Sequence, residues 1–347
     1  MLENIYGLTL AEIEQKITAL KLQKFRAKQI ADWMYKKGAS SFAEMTNIGK
    51  AMQETLSEHF VIQRPTLIEK WDSSDGETTK FLLGFGDGVA VESVLMRHNY
   101  GSSICISTQA GCAMGCAFCA STVHGVERNL TSGEMLAEVL FIDDYLRQNE
   151  DKKVDTMVLM GSGEPMMNYE NVVKFMRLVH EPYTLGISYR SITLSTAGIV
   201  EGIDRLAAEE IPVSLAISLH APNDDIRSEL MPINKKYGIA AVVAAGKRYG
   251  DTTKRRVTYE YLLIAGVNDS DDNAKELARL IRGQLASVNL IPLNPVTERD
   301  FKRPSSARIE KFLQILTERH IAATVRREMG TDIAAACGQL RNQHIEK

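Results

Sequence analysis

From about residue 131 onward, helical segments alternate with short, apolar, β-rich ones. SGEMLAEVLFIDDYLRQ is followed by DTMVLM, NVVKFMRLVH, SITLST, IVEGIDRLAAE, PVSLAISLH, a helical DDIRSEL, VTYEYLLI, AKELARLIRG, VNLIPL, ARIEKFLQILTERH and AATVRR. Parallel strands cannot be joined by a tight turn, so strands separated by helices predict parallel βαβ units. Counting from SICIST gives about six or seven strands, which predicts an α/β fold built as an open or partial barrel, with a doubly wound sheet as the alternative. In either architecture ligands collect at the carboxyl ends of the strands.

Several strands end in residues suited to a site. SICIST runs into a cysteine loop, DTMVLM into GSGEP (161–165), SITLST ends at Ser195 and Thr196, PVSLAISLH at Ser218 and His220, and VNLIPL at Asn294. A glycine-rich turn with a carboxylate can set backbone amides and Glu164 against an amine or hydroxyl. Singly, such residues more often serve turns and helix caps. Their coincidence at strand ends predicts one shared pocket.

Residues 1–62 read as a small helical domain, with Leu10, Ile13, Ile17 and Leu20 spaced by three and four and Ile30, Trp33 and Met34 continuing the pattern. Lys21, Lys24, Arg26, Lys28, Lys36 and Lys37 face only Asp32 within that stretch, forming either a solvated helix face or a phosphate-contacting surface. Residues 63–100 change to TLIEKW, KFLLGF and VAVESVL around SSDG and GDG turns, an antiparallel extension leading into a core over 101–347.

The net charge of −3 and pI near 6.2 give no global signature of a nucleic-acid binder, so any polyanion site must be local. No apolar run approaches the roughly 18 residues of a membrane span, and the start lacks a basic stretch before an apolar core. The expected compartment is therefore the cytoplasm. Five cysteines are too few for a disulfide scaffold, and four fall between Cys105 and Cys119.

Three of these, Cys112, Cys116 and Cys119, form the CxxxCxxC of GCAMGCAFC. Structural zinc takes four tetrahedral ligands, which Cys105 or His124 would have to complete. Iron–sulfur clusters also use thiolates. Three cysteines on a four-iron cluster leave one iron open for a substrate or cofactor.

The segments CISTQAGCAMGCAFC, RNLTSGEM, MGSGEP, LSTAGI, AISLHAPND, MPINKKY, LIPLNP, VRREMGTDI and AACGQL cover nearly the whole chain. Together they resemble the RlmN/Cfr family of radical S-adenosylmethionine RNA adenosine methyltransferases. The resemblance implies a partial (β/α)6-type radical SAM barrel with an N-terminal β extension and a small N-terminal helical domain. It implies one 4Fe-4S cluster on Cys112, Cys116 and Cys119. S-adenosylmethionine would be held by Gly163, Glu164, Ser195, Ser218, Leu219, His220 and Asn294, and used twice per turnover, as methyl donor and as radical source.

The implied target is an adenine ring carbon in 23S ribosomal RNA, methylated before the ribosome is fully assembled, and for the RlmN branch also the adenosine 3′ of certain tRNA anticodons. Carbon 2 of adenine lies between two ring nitrogens and is too electron-poor to attack a sulfonium methyl. By resemblance, Cys337 first takes the methyl group as a thiolate nucleophile. A 5′-deoxyadenosyl radical then removes a hydrogen from it, and the carbon radical adds to the ring. Glu92 accepts the ring proton, and Cys105 attacks the sulfur of Cys337 to release product through a transient disulfide.

The GEP of GEPMMN (163–168) and the stretch AISLHAPND match the carbon-2 branch, and carbon-8 methylation of the Cfr type is the runner-up. A zinc-stabilised, non-catalytic RNA-binding protein is the alternative from another class. The resemblance also implies a low-potential electron donor such as flavodoxin or ferredoxin, a monomer, and no membrane partner. Lys235 and Lys236, Lys254 to Arg256, Lys302 and Arg303, and Arg326 and Arg327 are expected near the barrel mouth, where they can meet phosphates. One departure stands out: Ala334 occupies a position where the family usually has aspartate, leaving Asp332 to anchor the Cys337 loop.

Overall fold

The structure, a computed structural model, describes residues 2–294, 296 and 299–340. Pro295 of LIPLNP and the last seven residues of the 101–347 segment lie outside the described residues.

Two short strands, β1 (Glu3–Asn4) and β2 (Phe60–Val61), pair in parallel and clasp the ends of a helical segment containing α1 (Leu10–Ala19), α2 (Arg26–Tyr35) and α3 (Lys50–His59). Thr9 and Glu12 close a reciprocal capping box that starts α1, and Ile13 and Ile17 on its predicted apolar face are buried. Glu12 also pairs with Lys174 at 2.7 Å, so the cap is fastened to the barrel. Part of the basic stretch is already engaged: Lys24 pairs with Glu14 at 3.0 Å, Lys36 with Asp32 at 3.5 Å, and Lys37 lies 3.7 Å over the Trp33 ring.

The remaining strands are β3 (Thr66–Asp72), β4 (Thr78–Gly84), β5 (Ala90–His98), β6 (Gly101–Cys105), β7 (Gln109–Gly111), β8 (Val126–Asn129), β9 (Val154–Leu159), β10 (Ile192–Thr196), β11 (Ser214–Ser218), β12 (Val257–Leu263), β13 (Ala286–Pro292) and β14 (Ala323–Val325). The helices are α4 (Ser132–Glu150), α5 (Tyr169–His180), α6 (Val200–Ala208), α7 (Asp224–Leu230), α8 (Ile239–Thr253), α9 (Asp271–Leu280) and α10 (Ser306–Glu318).

Ten strands form one sheet in the order β14-β13-β12-β11-β10-β9-β6-β5-β4-β3. From β6 to β14 every pairing is parallel, while β3 to β6 pair antiparallel. The parallel strands run in chain order with no reversal. Right-handed crossovers made always in one direction put their helices on one face, which is what a partial barrel needs; a doubly wound sheet reverses direction at a switch point. The two ends of the sheet, β14 and β3, are not joined, so the barrel stays open.

Helix α8 has no counterpart among the segments read from the sequence. Its IAAVVAAGKRYG stretch does bury Ile239, Val242, Val243, Gly246 and Tyr249 at helical spacing, but alanine and glycine blur the contrast on which periodicity depends. Gly246 is required by packing: a Cβ there would lie 2.6 Å from the Tyr259 hydroxyl. The small β7/β8 hairpin around the cysteine loop was likewise not evident in the sequence, being too short to show alternation.

Candidate active site

The residues that follow the parallel strands converge on one cavity. Cys112, Cys116, Cys119, Gly163, Glu164, Ser195, Ser218, His220, Asn294 and Cys337 all line it. A second cavity, of about 490 Å³, adjoins it and is lined by Cys105, Ser103, His98 and Tyr100. Met160, Ile291, Asn294, Arg326 and Cys337 line both. Cys337 therefore stands in the partition between a chamber containing three cysteines and a chamber containing the fifth.

The cysteine loop is held by its own backbone and by the C-terminal segment. Cys112 N donates to Gly125 O at 2.9 Å, and Thr122 Oγ1 donates to Cys119 O at 2.9 Å. Ala120 N donates to Gly338 O at 2.8 Å and Ser121 Oγ to Leu340 O at 2.6 Å, so the loop and the Cys337 segment are laced together. All five cysteines are free thiols. Burial pushes the Cys112 thiol up to about 12 and the Cys116 thiol well above its usual range. Thiols in such surroundings stay protonated until a bound iron displaces the proton to solvent.

Among the described residues no three His, Cys, Asp or Glu side chains come close enough to share a single metal ion. Three thiolates on one zinc, at about 2.3 Å each, would lie within about 4 Å of one another. In a four-iron cluster each thiolate holds its own iron, and three cysteines on one loop can serve three of the four.

Gly163 adopts φ +111°, and a Cβ there would meet Gln109 N and Thr108 Oγ1 at 2.7 Å, so only glycine lets this turn lie against the cysteine strand. Its neighbour Glu164 is buried; Oε1 accepts from Thr196 Oγ1 at 2.7 Å and Met166 N at 3.0 Å, and Oε2 from Ala197 N at 2.6 Å. Burial nonetheless raises its pKa. A carboxylate has about four acceptor positions, so one remains for an amine in the cavity.

His220 sits in the left-handed region at φ +56°. Leu262 N donates to its Nδ1 at 3.0 Å, which places the ring proton on Nε2, and burial together with Arg227 lowers its pKa to about 3. Leu219 differs from expectation. Its side chain is in the hydrophobic core, its amide donates to Glu260 O and its carbonyl accepts from Arg227 Nε, so it shapes the strand end without lining the cavity. Asn294 Nδ2 donates to Cys337 O at 3.2 Å, while its Oδ1 is buried with no hydrogen-bond partner among the described residues. A buried acceptor facing a cavity without a donor is the kind of group a bound cofactor satisfies.

Glu92 lies apart from both cavities. It pairs with Lys80 at 2.9 Å with the two side chains 1% and 2% exposed, and Lys80 Nζ also donates to Ala334 O at 3.4 Å. Sequence reasoning gave no hint of Lys80, because a lysine in KFLLGF reads as a solvent-facing strand residue. Ala334 itself has φ +51°, a conformation that aspartate tolerates better than alanine. Asp332 does anchor the loop, accepting from Ser74 N at 2.8 Å.

The basic groups divide. Arg326 is half-buried and lines both chambers: its Nη1 donates to Met160 Sδ at 3.6 Å, and Cys337, Glu260 and Cys105 all favour its charge. Burial pushes Cys105 up to about 12 while Arg326 pulls it down. Arg327 pairs with Glu77 at 2.6 Å and Arg303 with Glu328. Lys254 to Arg256 lie at the opposite end of the barrel from the mouth, because Arg256 immediately precedes β12 and Arg255 donates to Ser214 at the start of β11.

The radical SAM superfamily matches residues 106–278, and the ribosomal RNA large subunit methyltransferase N-terminal domain matches residues 3–62. A protein of Symbiobacterium thermophilum named probable dual-specificity RNA methyltransferase RlmN is 50% identical over 98% of this chain and 92% of its own length. One of the same name from Clostridium perfringens is 50% identical over 99% of this chain and 98% of its own. The crystal structure of a radical SAM methyltransferase from Sphaerobacter thermophilus superposes with a TM-score of 0.94 at 47% identity, covering 98% of this chain and 99% of that one.

Proposed function

The chain belongs to the RlmN family, and from this we infer that it is a radical SAM RNA methyltransferase that methylates carbon 2 of a specific adenosine in 23S ribosomal RNA and of the adenosine 3′ of the anticodon in some tRNAs. The observation that carries the reading is the position of Cys337, which lines both cavities.

Cys112, Cys116 and Cys119 would hold a 4Fe-4S cluster, and Gly163, Glu164, Ser195, Ser218, His220 and Asn294 would hold S-adenosylmethionine beside it. Bound there, the cluster and cofactor supply an electron, a methyl group and a hydrogen-abstracting radical. The chain's own residues do the rest. Cys337 carries the one-carbon unit from the inner chamber to the outer one. Arg326, which lines both chambers beside Cys337, sets a positive charge at the partition. Cys105, in the wall of the outer chamber, attacks the Cys337 sulfur and frees the product. Glu92 receives the ring proton; its partner Lys80 reaches the Cys337 loop at Ala334 O.

We assign residues 1–62 to RNA contact, 63–100 to the sheet extension, and 101–347 to the catalytic core. Ala113 and Gly115 are exposed on the cysteine loop and offer a low-potential flavodoxin or ferredoxin a short path to the cluster. Among the described residues no helix is long and apolar enough to cross a membrane. We assign the protein to the cytoplasm, acting as a monomer before the ribosome is complete.

The test is anaerobic turnover of iron-replete protein with S-adenosylmethionine, a reductant and RNA, followed by nucleoside mass spectrometry. 2-Methyladenosine is expected. 8-Methyladenosine would move the protein to the Cfr type of chemistry, and absence of both would refute the reading.

A further inference from the structure

The hairpin between β5 and β6 turns on only two residues, Asn99 and Tyr100, since His98 and Gly101 are register partners. Across this turn the rings of His98 and Tyr100 lie parallel, with centroids 4.7 Å apart and planes 6° from coincidence. Tyr100 is 73% exposed, more than any other large apolar side chain among the described residues. One face of the phenol is covered by the imidazole, and the pair buries too little to serve the core.

Its location suggests its use. His98 and Tyr100 line the outer cavity together with Cys105 and Cys337. Carbon 2 of adenine lies on the minor-groove edge between N1 and N3, so it cannot reach a sulfur within a cavity while its base is stacked in RNA. The base must be turned out, and its neighbour then loses a stacking partner at a cost of a few kcal/mol. Proteins offset that loss with an aromatic face, which accepts any base and favours single-stranded over paired RNA.

We propose that His98 and Tyr100 form a stacking ledge for the unpaired base that flanks the target adenosine in the substrate RNA. The inference rests on the methyltransferase reading above and names how that same site recognises its substrate. Burial and the neighbouring Arg327 and Arg326 lower the pKa of His98, against a smaller opposing effect of Glu77. The imidazole beneath the ledge is thereby biased toward its uncharged form.

The experiment uses full-length, cluster-loaded protein and an RNA fragment containing the target, with 2-aminopurine replacing each flanking nucleotide in turn. Binding quenches one of the two probes in the wild type and in Tyr100→Phe, and leaves it bright in Tyr100→Ala. In parallel, Tyr100→Ala raises KM for RNA about tenfold, the effect of losing one stacked base, with kcat within twofold, and Tyr100→Phe restores KM. Methyl loading of Cys337 without RNA is unchanged in both variants.

The ledge is refuted if Tyr100→Ala keeps wild-type quenching and KM, if Tyr100→Phe fails as badly as alanine, or if methyl loading falls along with RNA affinity. Wild-type protein that makes no methylated adenosine sinks the functional reading instead. In that case quenching that depends on Tyr100 still reports the ledge, so the two failures are distinguishable.

Discussion

Breaking the Lys80–Glu92 pair should be costly out of proportion to its size, because the charges are sealed between β4 and β5 at 2.9 Å with the side chains 2% and 1% exposed. Two unit charges about 4 Å apart attract by roughly 4 kcal/mol at an effective dielectric of about 20, and much of this offsets the cost of burying them. Lys80→Met removes a cation 2.9 Å from the buried Glu92 carboxylate, and Glu92→Gln leaves the buried Lys80 ammonium without that carboxylate. Each single change is expected to cost about 3–5 kcal/mol, whereas the double change, which removes both charges, should recover most of the loss. Lys80 also lies 4.6 Å over the Trp71 ring, so Trp71 fluorescence during urea unfolding is a local reporter. The measurement is a double-mutant cycle on the unfolding midpoint at constant slope. Additive single costs, or a Lys80→Met cost below about 1 kcal/mol, would refute the argument. Because Lys80 also holds Ala334 O, Lys80→Met should slow methyl loading of Cys337 as well.

Cys337→Ala should lose methyl loading while retaining iron and sulfide, and Cys105→Ala should accumulate a protein–RNA adduct visible on denaturing gels; cluster loss in the first or normal turnover in the second would overturn those roles. Since the Cys105 thiol is pushed up to about 12, adduct release should accelerate about tenfold per pH unit between pH 7 and 9. Arg326→Met should slow that release further at every pH in the range, and a pH-independent release rate would refute the assignment. Burial lifts the Glu138 carboxyl from about 4.5 to about 8. Between those values the folded protein keeps a proton that the unfolded chain releases, so this group makes stability fall as pH rises from about 4.5 to 8. Glu138→Gln should flatten that part of the stability profile, measured by urea unfolding at pH 5 and pH 8, and an unchanged slope would count against it.

The parallel half of the fold was readable because each strand and helix carries its own period and the site residues fall where strands end. GSGEP, Ser195, Ser218, His220 and Asn294 were placed in one pocket on that ground, and the structure brings them together. Long-range polar pairing was not readable. Lys80 and Glu92 appear as ordinary strand charges until β4 and β5 are covered, and Arg326 appears to belong with Arg327 until β14 turns it toward Cys337. Leu219 shows the opposite limit: a residue inside a site motif can work through its backbone alone, and a motif does not say which atoms are used. Ala334 could be noticed as a departure from a pattern, but its left-handed backbone, which gives the departure physical meaning, is visible only in three dimensions.

The partition position of Cys337 also bears on timing. A sulfur with a door on each side can be charged through one while the other stands unvisited, so turnover separates into two half-reactions that need not share a ternary complex. The RNA then has to remain bound only for the second half. A chain of this kind can be stocked in advance and spend its methyl group on a substrate whose folding leaves the target exposed for a short interval.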